Sequence, residues 1–149
     1  MKVISIQIDK FDQIGIVVRD IEKAAKLYRE LFNFKGQINI VEQDATVLYK
    51  GKEATFKMLK IMQHFGGKQF EIVEVLEATG PNLYSEFLKE GKEGLHHLGI
   101  YTKEADKLIE QFKNKFNIDV IQVGKLGKLT FSYLDTIDYL GYYVEILEF

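Results

Sequence analysis

The sequence predicts an α+β domain of two tandem βαβββ modules with a pocket between them. Three observations carry this reading. The segment DQIGIVVRDIEKAAKLYRELFNF from Asp12 aligns without gaps on HHLGIYTKEADKLIEQFKNKFNI from His96, at an offset of 84. The EIVE that begins at Glu71 matches the EILE that begins at Glu145, near the end of each half. Between helix and final strand each half holds further strand-like stretches: VLYKG and ATFKMLKIM in the first, DVIQV and KLTFSYL in the second.

Each module opens on a strand, because Ile14, Ile16 and Val18 alternate with a period of two. Asp20 is placed to cap the following helix, its carboxylate accepting an orphan backbone N–H. Ala24, Leu27, Tyr28, Leu31 and Phe32 then recur at three and four, which predicts one apolar face. In the second copy Thr102 is the expected cap, and Ala105, Leu108, Ile109, Phe112 and Phe116 form the face. Phe65-Gly66-Gly67-Lys68 reads as a turn into the strand FEIVEVLE. A short helix from about Asn82 to Glu90 follows Pro81, with Leu83, Phe87 and Leu88 inward and Gly91 as its stop. The expected organisation is therefore a single domain: module one at about 10–77, a linker helix at about 82–91 and module two at about 95–149.

The bulk numbers suit such a domain. A chain of 149 residues removes ~70% of its unfolded surface from water on folding, enough for a full core. Twenty basic and 22 acidic residues leave a net charge of -2, with no basic patch to favour nucleic acid or an anionic membrane as partner. The absence of cysteine excludes disulfides, thiolate metal sites and cysteine nucleophiles. MKVISIQIDKFDQ lacks the apolar run of a secretion signal and no later stretch suits a membrane span, so a cytoplasmic location is the expectation.

The repeat selects four polar positions. Gln13 and His97 are equivalent on the first strands, Glu71 and Glu145 on the last. Their strand neighbours Ile14, Leu98, Phe70, Ile72, Val144 and Ile146 are apolar and point the other way. All four polar groups are thus expected in one concavity, where a carboxylate needs a partner, a proton or a cation. A divalent ion would satisfy the set, and oxygen and nitrogen donors of this kind suit Zn, Ni, Co, Mn or Fe. Any one of these residues alone has an ordinary structural explanation; their shared symmetry is what argues for a site. The repeat favours His97 over His96 and Glu71 over Glu74, and His64, beside the Gly-Gly turn, reads as surface. Tyr101, Phe131 and Tyr133 fall by strand parity on the pocket side.

These residues carry a resemblance. FDQIGIVVRDIEKAAKLYRELFNF, GGKQFEIVEVLE, LYSEFLKEGKEGLHHLGI and FSYLDTIDYLGYYVEILEF together resemble the vicinal oxygen chelate superfamily, which includes glyoxalase I, methylmalonyl-CoA epimerase, extradiol dioxygenases and bleomycin-resistance proteins. The middle two look most like the epimerase branch and related glyoxalase-like proteins. The resemblance implies a curved mixed sheet around a central pocket, with Gln13, Glu71, His97 and Glu145 as metal ligands. One suitable His does not match the two-His-one-carboxylate site of the dioxygenases. Val17 and Val75 stand where glyoxalase I carries its glutathione-binding Arg and Asn, which ranks lactoylglutathione lyase below an acyl-CoA or small-acid isomerase.

The implied activity is metal-dependent isomerisation, epimerisation or lyase chemistry through proton abstraction next to a carbonyl. Glu145 is the expected base, with Glu71 or Glu53 as its partner. The resemblance also implies a small-molecule substrate and a homodimer. The competing reading is a metal-free drug- or antibiotic-binding protein of the bleomycin-resistance type.

Overall fold

The chain forms β1 (Gln13–Val17), α1 (Ile21–Leu31), β2 (Val41–Tyr49), β3 (Lys52–Phe65), β4 (Lys68–Thr79), α2 (Leu83–Lys89), β5 (Gly94–Tyr101), α3 (Ala105–Phe116), β6 (Val120–Leu126), β7 (Leu129–Leu134), α4 (Ile137–Leu140) and β8 (Tyr143–Glu148). This computed structural model describes residues 7–34 and 36–149; the first residues of the stretch read for a secretion signal lie outside them. The strands close in the order β1-β4-β3-β2-β6-β7-β8-β5, so the curved mixed sheet becomes a barrel. No helix among the described residues is long and apolar enough to cross a membrane.

The repeat is legible in the pairing. β1 runs parallel to β4, placing Gly15 opposite Glu71, and β5 runs parallel to β8, placing Gly99 opposite Glu145. The two modules then join along the antiparallel pair β1 and β5, where Gln13 faces Gly99 and Gly15 faces His97. They meet a second time where Val47–Tyr49 pair with Gln122–Gly124. Alternation sends one set of side chains inward and the other beneath a helix. Ile16, Val18, Ile61 and Ile72 pack with Ile21 and Ala25 of α1. Ile100, Val144 and Ile146 pack with Ala105 and Leu108 of α3. Inside the barrel lie Val17, Val47, Phe56, Met58, Val73, Tyr84 and Tyr133.

Several local expectations are corrected. The buried side of α1 is Ile21 and Ala25, while Leu27 and Leu31 are 51% and 66% exposed. Ile21, Ala25, Tyr28 and Phe32 are spaced four, three and four apart on one face, so Tyr28 and Phe32 turn inward with them and join Phe34, Phe65 and Phe70 in an aromatic cluster, while Leu27 and Leu31 fall on the flank. Phe116 is likewise exposed. Thr102 does not cap α3: the cap position is Glu104, and Thr102 Oγ1 accepts the Glu104 N–H instead. The one-turn helix α4, between β7 and β8, had no counterpart in the expected module.

Asp20 does cap α1, accepting from Lys23 N–H. A second device serves both helices. Glu74 accepts the Ile21 N–H at 2.8 Å, and Glu148 accepts the Ala105 N–H at 3.2 Å. These are the last glutamates of EIVE and EILE, so the matched motif has two jobs: its first Glu points into the barrel and its last ties down the helix N-terminus. Glu74→Ala and Glu148→Ala should each lower stability by about 1 kcal/mol, the usual cost of a lost N-terminal cap, while leaving the barrel interior intact. Urea denaturation reads this; an unchanged midpoint in both variants would show that neither contact stabilises its helix.

Candidate functional site

Four side chains converge where β1 and β5 cross the middle of the barrel. Gln13, Glu71, His97 and Glu145 are all buried. His97 is their centre: its Nε2 lies 3.0 Å from Gln13 Oε1, 3.4 Å from Glu71 Oε1 and 3.6 Å from Glu145 Oε1. Two glycines make the convergence possible. A Cβ on Gly15 would overlap the His97 ring, and a Cβ on Gly99 would sit 3.1 Å from Gln13 Cβ and 3.2 Å from Glu145 Oε1. The glycine shared by the two halves of the repeat is thus a clearance requirement at the site.

His96 enters the interior as well, for a separate reason. The β1–β5 register shifts after Gly15, pairing Ile16 with Leu95 and leaving His96 as the extra residue of a bulge. Its ring is fully buried against Tyr84, Phe87, Tyr133 and Tyr143. His96 Nδ1 lies 2.8 Å from His97 Nδ1. One of the two nitrogens must carry the proton. Burial, and then the neighbouring His97 charge, hold His96 well below the ordinary imidazole range, so His96 is neutral and accepts. His97 therefore donates through Nδ1, which fixes its ring and leaves Nε2 to face the oxygens.

The ionisable groups pull one another apart. Burial alone would lower His97, but the Glu145 charge and the hydrogen bond and charge of Glu71 outweigh it and hold His97 above its ordinary value. Burial would raise Glu71, but its hydrogen bond to His97, the His97 charge and Lys60 bring it below. Burial dominates at Glu145 and pushes it up to about 7; the His97 charge opposes this, and the Glu71 charge adds to it. Two carboxylates equivalent by repeat thus differ in proton affinity, the pattern that separates acid from base in many sites. Glu145 Oε1 is buried without a hydrogen-bond partner. Among the described residues no three His, Asp or Glu side chains are arranged as a preassembled metal cage; the imidazole and carboxylates pair with one another instead.

Gln13, Glu71 and Glu145 line an interior cavity of about 80 Å³, and the fully buried His97 lies against these three side chains. Tyr101, Phe131 and Tyr133, expected on the pocket side, line it too. Glu53 does not: it is exposed on β3 and absent from the cavity wall, because the inward positions of that strand are Phe56, Met58, Lys60 and Met62. His64 is exposed. Sequence reasoning missed Tyr84, whose hydroxyl meets that of Tyr133 at 2.6 Å, and Gln122, whose Oε1 accepts the Leu83 N–H. It also missed Gln69, which accepts from Gln13 Nε2 at 2.7 Å and orients that amide. Gln69 shares a strand face with Glu71 two residues on, a signal that period-two counting could have found.

A family model described as "Glyoxalase/Bleomycin resistance protein/Dioxygenase superfamily" matches residues 12–127. Among solved structures, a hypothetical protein from Bacillus halodurans C-125 is similar at 18% identity, over 94% of each chain, with a TM-score of 0.64. Methylmalonyl-CoA epimerase from Mycobacterium tuberculosis is similar at 14% identity, over 93% of this chain and 86% of that one, with a TM-score of 0.61. Streptomyces coelicolor methylmalonyl-CoA epimerase, solved with 2-nitronate-propionyl-CoA, is similar at 18% identity over 93% of each chain, with a TM-score of 0.56. At these identities the likeness is one of fold. No curated protein sequence matches the chain.

The perturbed groups make stability depend on pH. Glu145 and His97 hold protons more tightly folded than unfolded, so their contribution is present at low pH; that of Glu145 is lost as pH rises through about 7, and that of His97 as pH rises above its ordinary 6.5. Glu71, held low, contributes the opposite way, and only below its ordinary 4.5 is that contribution lost. In EDTA the wild type should therefore be less stable at pH 8 than at pH 5, by about 2 kcal/mol, and Glu145→Gln should flatten the difference. Equal urea midpoints for the wild type at both values would contradict this account of the site.

Proposed function

The chain belongs to the Glyoxalase/Bleomycin resistance protein/Dioxygenase superfamily, and from that premise we propose that it is an enzyme abstracting a proton from a carbon next to a carbonyl. The reaction would be an isomerisation or epimerisation, as in methylmalonyl-CoA epimerase, or a glyoxalase-like lyase step. One observation carries the proposal: Glu71 and Glu145 flank His97 in one cavity with proton affinities displaced in opposite directions. A base works best with a pKa near the working pH, where Glu145 lies.

The proposal includes a divalent ion held by Gln13, Glu71, His97 and Glu145. The support is the donor set itself. Glu145 Oε1 is buried and unpartnered, and the three oxygens stand 3.0, 3.4 and 3.6 Å from His97 Nε2. Donors about 3.0 to 3.4 Å apart fit around an ion with bonds near 2.1 Å, which the Gln13 and Glu71 oxygens meet, while Glu145 Oε1 at 3.6 Å would have to draw in. One imidazole nitrogen and three oxygens suit Zn, Ni, Co, Mn or Fe. Binding would displace the proton from His97 Nε2, so affinity should rise with pH. When bound, the ion supplies Lewis-acid stabilisation of the negative charge that develops on the substrate oxygen.

The chain's own groups do the rest. Glu145 takes the α-proton. Glu145 returns its own proton for isomerisation; for epimerisation the proton delivered to the opposite face would come from water, since Glu71 is held ionised and would serve as a ligand. Gln69 holds the Gln13 amide so that Oε1 turns to His97, and His96 holds the His97 ring. The apolar and aromatic wall of Phe56, Met58, Tyr84, Phe131 and Tyr133 limits water.

Deuterium exchange into methylmalonyl-CoA and other 2-branched acyl thioesters tests this, with and without added metal. Glu145→Gln should slow exchange at least ~100-fold, and His97→Ala should remove bound metal, whereas Glu53→Gln should change neither. No exchange into any of these compounds sinks the epimerase version; wild-type metal content in both site variants places the ion elsewhere.

A further inference from the structure

The cavity has two walls that the repeat makes equivalent and the residues make different. On the first-module side Met62 pairs with Glu71 and Lys60 with Val73. On the second-module side Tyr133 pairs with Glu145 and Phe131 with Leu147. Lys60 and Phe131 therefore occupy matching places on either side of the central carboxylates. Lys60 is the single cation among the residues that line the cavity. It stands in a row with Phe56, Met58 and Met62, whose apolar side chains pack along its methylenes. Its charge acts on both Glu71 and Glu145, yet no carboxylate among the described residues comes within the 4.0 Å of an ion pair with it.

We propose that Lys60 holds a carboxylate of the substrate, so that the pocket selects compact acids whose anionic end meets Lys60 and whose apolar part meets Phe131. A carboxylate arriving beside Glu71 is repelled unless a cation meets it; Lys60, the cation among the residues lining the cavity, is placed to do so. This deepens the reading of the pocket as a reaction site and rests on it. It is read by binding in the absence of metal, so its failure is separable from failure of the proton-transfer chemistry.

The test is calorimetric titration of EDTA-treated protein with methylmalonate and with methylmalonamide, which keeps the shape and loses both charges. The wild type should bind methylmalonate at least about tenfold more tightly than the diamide. Lys60→Met, which continues the Met58 and Met62 row, should lose about that factor for methylmalonate alone. Lys60→Arg should keep most of it, and thermal melts should confirm that both variants fold. Equal affinity of wild type and Lys60→Met for methylmalonate overturns the assignment. So does equal affinity of the wild type for acid and diamide, or no methylmalonate binding at 20 mM.

Discussion

Two missing side chains make the interior of this barrel possible. Gly15 lies between Glu71 on one neighbouring strand and His97 on the other; Gly99 lies between Glu145 and Gln13. A sheet ordinarily keeps inward side chains on adjacent strands side by side, each with its own column of space. Removing the Cβ at the two central positions lets four side chains lean over the glycines and meet. Any residue larger than glycine at position 15 takes the volume that the His97 ring fills. The polar centre is therefore fixed by backbone geometry before any question of charge arises.

Charge then decides how that centre is held. An isolated buried carboxylate or imidazolium is costly, and burial is the largest influence on Glu71, His97 and Glu145 alike. The three survive together because each offsets another: Glu71 stays ionised against His97, and Glu145 retains its proton up to about pH 7. The β5 bulge adds neutral His96 as an acceptor for His97 Nδ1, and four aromatic rings hold His96 in place. The result is a cluster that is internally paired yet leaves one carboxylate oxygen unsatisfied. An unsatisfied buried acceptor is a strong attractor for a cation or a proton, and the proposed metal and base roles both rest on that feature.

How far the sequence was readable follows from which signals survive folding. The repeat survived because both modules use one backbone plan, and it led to the strand pairs, the helices and the convergence of Gln13, Glu71, His97 and Glu145. Helix faces were less legible: Leu27 and Leu31 fit an apolar stripe but turn outward, since a helix lying on a strongly curved sheet buries a narrower strip. The Thr102 cap failed because a residue distant in sequence, Glu148, reached the helix end first. Glu53 failed for want of register: with no pairing known, its parity on β3 was open, and the structure places Lys60 inward instead. Tyr84 and Gln122 left no periodic trace at all, because they reach the cavity by tertiary contact.

The split between a symmetric centre and asymmetric walls bears on how such a site acquires specificity. The ligand-like positions are repeated because the paired glycines admit only that arrangement, so changes there are constrained from two sides. The flanking places are free of this limit: a strand accepts Lys60 as readily as Phe131, provided the inward row around it still fills its space. Chemistry that depends on the central carboxylates can then stay constant while the walls vary from cationic to aromatic. In this chain one wall offers a charge and the other a ring, with the carboxylates between them. Under the proposed reading, a substrate that satisfies both walls would lie across the site in one direction only. Discrimination among substrates thus resides in the part of the pocket that the repeat does not fix.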